Sequence, residues 1–191
     1  MTFTVLALVG GTAAGLLSGG RLRHVAGHPL RAAWLLAVGF VLLEASGHLA
    51  LGRAATMGAL AGYVCLFAFC GRNPTVIGMG IVALGLAANA AMIGVNGGMP
   101  VHPGAVVAAR IADVDEVAAV DYGPLHHAEH PTDHLSWLDD RIPLPELHQV
   151  LSFGDLVLAL GVADVMAHLC HPRRRRPAAR PLRAASGPLT V

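Results

Sequence analysis

The amino-acid sequence predicts an all-α fold, a polytopic integral membrane protein with five transmembrane helices. Its residues are 54% hydrophobic and 13% charged, whereas a soluble domain has about 25% charged residues. Its mean hydropathy is +0.60. Five long apolar stretches and an uneven distribution of arginines complete the argument. The chain contains no lysine.

Each of the five apolar stretches is long enough to be a span, because a helix needs about 20 apolar residues to cross a bilayer core. They lie at about 2–19, 32–51, 54–71, 74–95 and 151–169. In the first stretch, Gly11, Gly15 and Gly19 repeat every four residues, which favours close packing against another helix. Arg21 and Arg23 follow this stretch rather than precede it, so we expect a retained span and not a signal peptide.

The remaining segments complete a membrane domain over residues 1–171. A polar outer loop, 96–150, joins the fourth and fifth spans, and 172–191 form a disordered basic tail. Ten arginines fall on the side that holds the C-terminus, and the positive-inside rule makes that side cytoplasmic. The sequence therefore predicts a multi-pass protein of the cell (inner) membrane, with its N-terminus and the long loop outside.

Polar residues inside the spans are candidates for function, because they are costly in lipid. Glu44 and His48 lie one turn apart, and Glu44, Asn89 and Asp155 are expected at similar depths, roughly 10 Å below the outer surface. Such a layer favours a site for a proton, a cation or a polar head group. The alternatives are structural: Ser152 and Asp155 fit a capping box, and Glu44 fits a hydrogen bond to His48 or Asn89.

The stretch "HHAEHPTDH" contains three histidines spaced four residues apart, His126, His130 and His134. On a helix the first two would form a two-ligand face for zinc or copper, but Pro131 interrupts a continuous helix. A polar loop without its own chemistry and a pH-sensing role are the alternatives. No cofactor is predicted, and the three cysteines lack the spacing of a metal or disulfide framework.

Four motifs carry a resemblance to a known family: "GGRLRHVAGHPLRAAWLL", "NGGMPV", "TDHLSWLDDRIPLP" and "FGDLVLALG". From about Gly19 to Gly161 the chain resembles the small multi-pass bacterial membrane proteins grouped as domain of unknown function 5317. The resemblance implies a membrane fold and a shared loop framework. The positions that match this framework are Asn96, Gly97, Gly98, Met99, Pro100, Asp140, Pro143, Pro145 and Asp155. The chain departs from the pattern at His102 and Asp139.

Three functions are compatible with these residues. The first is a structural or interaction component that binds lipid or a membrane-protein partner through the outer loop. The second is a proton or small-cation transport component that uses Glu44, Asn89 and Asp155. The third is a metal-binding membrane protein that uses the loop histidines. The expected partners are the lipid bilayer and another membrane protein, nucleic acid is not expected, and the absence of a catalytic motif argues against an enzyme.

Overall fold

The computed structural model describes residues 2–48 and 52–172, and these residues form seven α-helices and four short β-strands. The helices are α1 (Thr2–Leu17), α2 (Leu22–Ala26), α3 (Ala33–His48), α4 (Arg53–Arg72), α5 (Met79–Asn96), α6 (Pro103–Ala108) and α7 (Phe153–Leu169). The strands are β1 (Met99–Val101), β2 (His126–Ala128), β3 (Asp140–Leu144) and β4 (Gln149–Ser152). The predicted disordered tail, 172–191, lies outside the described residues apart from Pro172.

The prediction of an all-α fold is wrong, because the segment predicted as an outer loop contains a four-stranded mixed sheet. The strand order is β2-β1-β3-β4, in which β1 pairs in parallel with β2 and β3, and β3 pairs antiparallel with β4. Each strand has only three to five residues. Such strands are too short for an alternating pattern to identify them, and Met99 pairs with the distant His126.

The prediction of five transmembrane helices is also wrong. Within the described residues, two helices are long and apolar enough to cross a membrane: α4 with 20 residues and α5 with 18. The apolar helices α1 and α3 have 16 residues and α7 has 17. The apolar stretches overestimate helix length because turn residues flank them: Gly19 and Gly78 adopt left-handed backbone angles, with φ of 93° and 88°.

The long helices pack side by side in the order α3, α4, α5, α7, α1. Small residues allow the backbones to approach closely at these contacts. Gly11 of α1 lies against the backbone of Ala163 in α7, and a Cβ on Gly85 of α5 would lie 2.5 Å from the backbone nitrogen of Leu158. The close packing predicted from the spacing of Gly11 and Gly15 is thus within the chain, against α7, whereas a Cβ on Gly19 would have open space around it among the described residues.

We call residues 97–152 the cap, because they cover one end of the helical layer. The chain enters the cap from the C-terminus of α5 and leaves it directly into α7. Gly97 makes the first of these junctions with a left-handed φ of 76°, which a glycine adopts without strain. Met99 then begins β1 with a 2.7 Å hydrogen bond to the Leu125 carbonyl. The cap therefore lies at the end where α5 finishes and α7 begins.

The outward faces of the helical layer are apolar. Large hydrophobic side chains are exposed along all five long helices, among them Val5, Leu6, Val9, Leu17, Trp34, Val41, Met57, Val64, Leu84, Val95 and Leu160. Neither α1 nor α5 contains a charged residue, and the charges of α4 lie at its two ends, Arg53 and Arg72. The helices thus expose hydrophobic surface that they do not cover themselves.

Candidate functional site

A cluster of polar side chains joins the cap to the helical layer at the start of α7. The Ser152 hydroxyl accepts a 2.9 Å hydrogen bond from the Asp155 backbone, and the Asp155 carboxylate accepts one of 3.1 Å from the Ser152 backbone. This reciprocal pair is a capping box and satisfies two backbone donors at the helix start. The capping interpretation of Asp155 is therefore confirmed.

Asn89 connects this capping box to the neighbouring helix α5. Its amide nitrogen donates a 2.7 Å hydrogen bond to Asp155 Oδ1, and its oxygen accepts one of 3.2 Å from the Ser152 hydroxyl. Only 5% of Asn89 is exposed. Gly154 allows this arrangement, because a Cβ at that position would overlap the Asn89 side-chain oxygen. The structure thus brings together two of the predicted polar residues, Asn89 and Asp155.

A cavity of about 230 Å³ lies beside this cluster, between the cap and the helices. Its polar lining comes from five elements: Thr4 of α1, His126 of β2, Asp140 of β3, Gln149 of β4 and Asp155 of α7. Apolar side chains that include Leu158 complete the wall. A second cavity, of about 210 Å³, shares His126, Asp140 and Val150 with the first. Asp140 therefore contributes to both cavities.

Asp140 is the most unusual carboxylate of the site, because it is buried without a full set of partners. It is 6% exposed, and its Oδ1 atom has no hydrogen-bond partner in residues 2–48 and 52–172. Its Oδ2 atom lies 3.7 Å from His126 Nε2, beyond a normal hydrogen bond. Burial, and then the nearby charges of Asp155 and Asp139, raise the pKa of Asp140 well above its usual value.

We expect the stability of the protein to depend on the titration of Asp140. Since its folded-state pKa is raised, its stabilising contribution is complete below the unfolded value, about 3.9, and is lost as the pH rises through the folded-state pKa. Asp140→Asn removes this titration while keeping the shape of the side chain. In thermal unfolding across pH, the stability of the wild type should therefore fall relative to Asp140→Asn as the pH rises.

The control for this comparison is Asp115→Asn, which removes one charge from an exposed position of the cap. The groups that face Asp140 are Asp139, Asp155 and His126, and they remain in both variants. Unfolding curves of Asp140→Asn and the wild type that keep a constant separation across pH would contradict the assignment.

The adjacent Asp139 is fully buried and is neutralised by Arg141. Both carboxylate oxygens contact the Arg141 guanidinium, which also lies 3.2 Å from Glu129. The hydrogen bond to Asp139 raises the pKa of Arg141 above its usual value. Asp139, at which the sequence departs from the family pattern, is therefore a structural residue of the cap rather than part of the cavity.

Arg141→Gln should destabilise the cap, because it leaves the buried Asp139 carboxylate without its charged partner. We expect the free energy of unfolding to fall by about 1–3 kcal/mol, a range that allows for the exposed position of the guanidinium. Chemical denaturation of the purified protein measures this change. Arg110→Gln is the control, since Arg110 is exposed and makes no ion pair in the described part of the chain. An equal effect of the two substitutions would contradict the role of Arg141.

The framework residues implied by the family resemblance form the base of the cap. Asn96 makes two hydrogen bonds, of 2.8 and 3.0 Å, to the backbone of His134. Met99 and Pro100 are buried in β1, where Val101 lies opposite Asp140 of β3. Gly97 and Gly98 make the turn into β1, whereas Pro143 lies in β3 and Pro145 begins a 3-10 turn.

Glu44 and His48 form a pair one turn apart on α3. Their side chains approach each other at 3.4 Å and are 45% and 76% exposed. In the described residues, no hydrogen bond or ion pair joins either of them to Asn89 or Asp155. The layer of Glu44, Asn89 and Asp155 at a common depth therefore stays a prediction, and the contacts of the structure join only the last two.

The three histidines predicted as metal ligands have different surroundings. His126 lines the cavity from β2, His130 contacts Thr132 at 2.8 Å in an exposed turn, and His134 meets Asn96 through its backbone. A spacing of four residues places side chains together on a helix but not on a strand followed by a turn. Among the described residues, no group of three or more His, Cys, Asp or Glu side chains is positioned to hold a metal ion.

Thr4 and Gln149 belong to the cavity but were not predicted. Each is a single polar residue at the edge of an apolar stretch, and neither belongs to a motif. Gln149 pairs with Leu144 across β3 and β4, and this pairing brings it to the cavity. Only knowledge of the sheet would have identified it.

Comparison with known proteins identifies one family. Residues 28–167 match a family of unknown function (DUF5317), and this range covers α3, α4, α5, the whole cap and all but the last two residues of α7. No curated protein and no solved structure matches the chain. The match extends over more than half of the 191 residues and includes the Asn89–Asp155 cluster. The chain belongs to the DUF5317 family of unknown function.

Proposed function

We propose that the protein is an integral membrane protein with a binding function, in which the cap presents a polar site at one surface of the bilayer. The observation that carries this proposal is the contrast between the two parts of the molecule. The helical layer exposes large apolar side chains on every long helix. In contrast, nine of the twelve acidic residues of the chain lie in the cap, and the cavity lies between the cap and the helices. Soluble monomers rarely expose continuous apolar surface beyond a few hundred Å².

The burial of the two long helices supports a location in lipid. A core helix of a soluble protein would be mostly buried, but only 33% of the residues in the apolar windows of α4 and α5 are buried. At 1.5 Å per residue, these helices are about 27–30 Å long, which suits a bilayer core of about 30 Å. We propose that α4 and α5 cross the membrane and that α1, α3 and α7 pack beside them.

The ends of the helical layer differ in charge, and this difference supports an orientation. At the end away from the cap, the Arg21 backbone donates a 2.7 Å hydrogen bond to Cys170, and the Arg31 backbone donates one of 2.8 Å to Asn73. Arg23 and Arg72 belong to the same end. Six more arginines follow α7 in the sequence, between 173 and 183. The positive-inside rule then favours a cytoplasmic location for this end and an outer location for the cap.

The two tryptophans of the chain agree with this arrangement. Trp34 is exposed near the start of α3, and Trp137 is exposed in the cap. They therefore lie towards opposite ends of the molecule, as expected for tryptophans that anchor a protein at the two membrane surfaces.

Binding has better support than catalysis at this site. The Ser152 hydroxyl donates to Asn89 and accepts from the Asp155 backbone. It is therefore engaged in structure rather than free to act as a nucleophile. Proton or cation transport through Glu44, Asn89 and Asp155 has less support, because Glu44 is half-exposed and no hydrogen bond or ion pair of the described residues joins it to the other two.

Cysteine labelling tests the orientation. In a variant whose native cysteines are replaced by alanine, Asp115→Cys in the cap should react with a membrane-impermeant maleimide added to intact cells. Arg23→Cys, at the opposite end, is the matched control and should react only after the membrane is permeabilised. Labelling of Arg23→Cys in intact cells without labelling of Asp115→Cys would overturn the proposed orientation.

A further inference from the structure

We propose that the 230 Å³ cavity binds a small organic cation with N–H donors, a primary ammonium group. The group has two chemical sources: a free alkylamine or the amine head group of a lipid. The free amine requires only the cavity. The lipid source also rests on the proposed function, because it requires the cap to lie at the bilayer surface.

The charge of the cavity selects a cation. Two of its lining residues, Asp140 and Asp155, are carboxylates, and the described lining contains no arginine. The nearest cap arginine, Arg141, is engaged by Asp139 and Glu129. Two carboxylates in a partly enclosed space repel each other, and a positive charge between them would relieve this repulsion.

The unsatisfied atoms select a hydrogen-bond donor. Two buried oxygens in the lining, Asp140 Oδ1 and Gln149 Oε1, have no hydrogen-bond partner in the described part of the chain. Buried polar atoms without partners are uncommon in folded proteins, and each calls for a partner that the described residues do not supply. An alkylammonium group carries three N–H donors and no acceptor, so it matches these two oxygen acceptors.

The size and the remaining lining favour an organic ion over a metal ion. The cavity has room for about seven water-sized groups at about 30 Å³ each, so a bare ion would leave most of it empty. Phe3 and Leu158 supply an apolar wall that suits the carbon chain of an alkylamine. Within residues 2–48 and 52–172, no group of three or more His, Cys, Asp or Glu side chains is positioned to hold a metal ion.

The position of the cavity explains why a lipid head group is one of the two sources. Phe3 and Thr4 belong to the first turn of α1, and Leu158 lies near the start of α7. These helices expose apolar side chains along their length, whereas the opposite wall belongs to the cap sheet. An amine head group could therefore enter between the cap and the helices while its acyl chains remain beside them.

Titration of the purified full-length protein in detergent with ethanolamine tests the proposal. At about pH 8, an alkylammonium group remains protonated, and calorimetry should detect saturable binding. Asp140→Asn should weaken this binding by about tenfold or more, because it removes an acidic acceptor that a bound cation would stabilise in its ionised form. Gln149→Glu should strengthen it by adding a carboxylate, an effect that a purely structural role would not produce. Asp115→Asn, outside the cavity, should leave it unchanged.

Choline is the control ligand, because its quaternary ammonium has the charge but no N–H donor. Weaker binding of choline than of ethanolamine supports the donor requirement, and equal binding overturns it. Failure of ethanolamine to bind the wild type, or binding of calcium or zinc ions alone, overturns the proposal. Gel filtration and circular dichroism show whether each variant is folded, so that its binding is compared with the wild type only when both proteins are folded.

Nanodiscs then distinguish the two sources. If the lipid head group is bound, native mass spectrometry should find phosphatidylethanolamine retained by the wild type and lost from Asp140→Asn. If a free amine is bound, ethanolamine should bind equally well in discs with and without that lipid. The detergent titration does not depend on membrane location, so its failure would overturn the ammonium site without affecting the proposed function.

Discussion

Replacing Asn89 with alanine is expected to lower the free energy of unfolding by about 2–4 kcal/mol, because the half-buried Asp155 and the buried Ser152 each lose a hydrogen bond. Asp155 Oδ1 loses its 2.7 Å donor on α5, and the Ser152 hydroxyl loses its acceptor. Ser152 is fully buried, so water does not readily replace the lost bond. The substitution also leaves a small cavity between α5 and α7, which adds to the cost.

Asn96→Ala is the matched control for this experiment. Asn96 lies on the same helix and also makes two hydrogen bonds, both to the backbone of the distant His134, but these bonds are exposed. Water can replace them, so we expect a cost of about 1 kcal/mol. Denaturation of the three proteins in the same detergent measures the difference. A cost for Asn89→Ala no larger than that of Asn96→Ala would show that the cluster does not hold α5 to α7.

The second large effect is expected at Gly11, where α1 meets α7. A side chain there would collide with the backbone of Ala163, which cannot move without displacing the whole helix. Gly11→Val should therefore separate the two helices and cost about 3 kcal/mol or more. Gly10→Val is the control in the adjacent position, because no atom lies within 4 Å of a Cβ at Gly10.

Both glycine variants change helix propensity in the same way, so their difference isolates the contact with α7. Thermal unfolding and the yield of folded protein after detergent extraction are the measurements. If Gly10→Val and Gly11→Val are equally stable, then α1 does not pack on α7 through this face. Since Phe3 and Thr4 line the cavity, loss of this packing should also weaken binding of ethanolamine.

The positions of the long helices could be predicted because apolar stretches mark them. The fourth stretch, for example, ends at residue 95, and α5 ends at Asn96. The predicted start of this stretch, Pro74, lies outside the helix. Gly78 turns the chain with a positive φ, and α5 begins at Met79. Hydropathy alone does not distinguish such turn residues from the helix that follows, and this is why five spans were predicted where two helices have the required length.

The sheet could not be predicted, because its pairs join residues that are distant along the chain. Met99 lies opposite His126, and Val101 lies opposite Asp140. Pro100, Pro143 and Pro145 also argued for an irregular chain, since prolines are rare in strands. In the site, the capping box of Ser152 and Asp155 followed from a local spacing. The contribution of Gln149 and His126 to a common cavity depended on the non-local pairing and was missed.

The most direct test of the central claim, that the helical layer lies in lipid and anchors the cap at the membrane, is extraction of cell membranes with alkaline carbonate. Carbonate releases peripheral proteins and leaves integral proteins in the pellet. The full chain should remain in the pellet and become soluble only in detergent, because the proposed location embeds α4 and α5 and covers the apolar faces of α1, α3 and α7 with lipid. Quantitative release of a folded, monomeric protein into the carbonate supernatant would contradict the account.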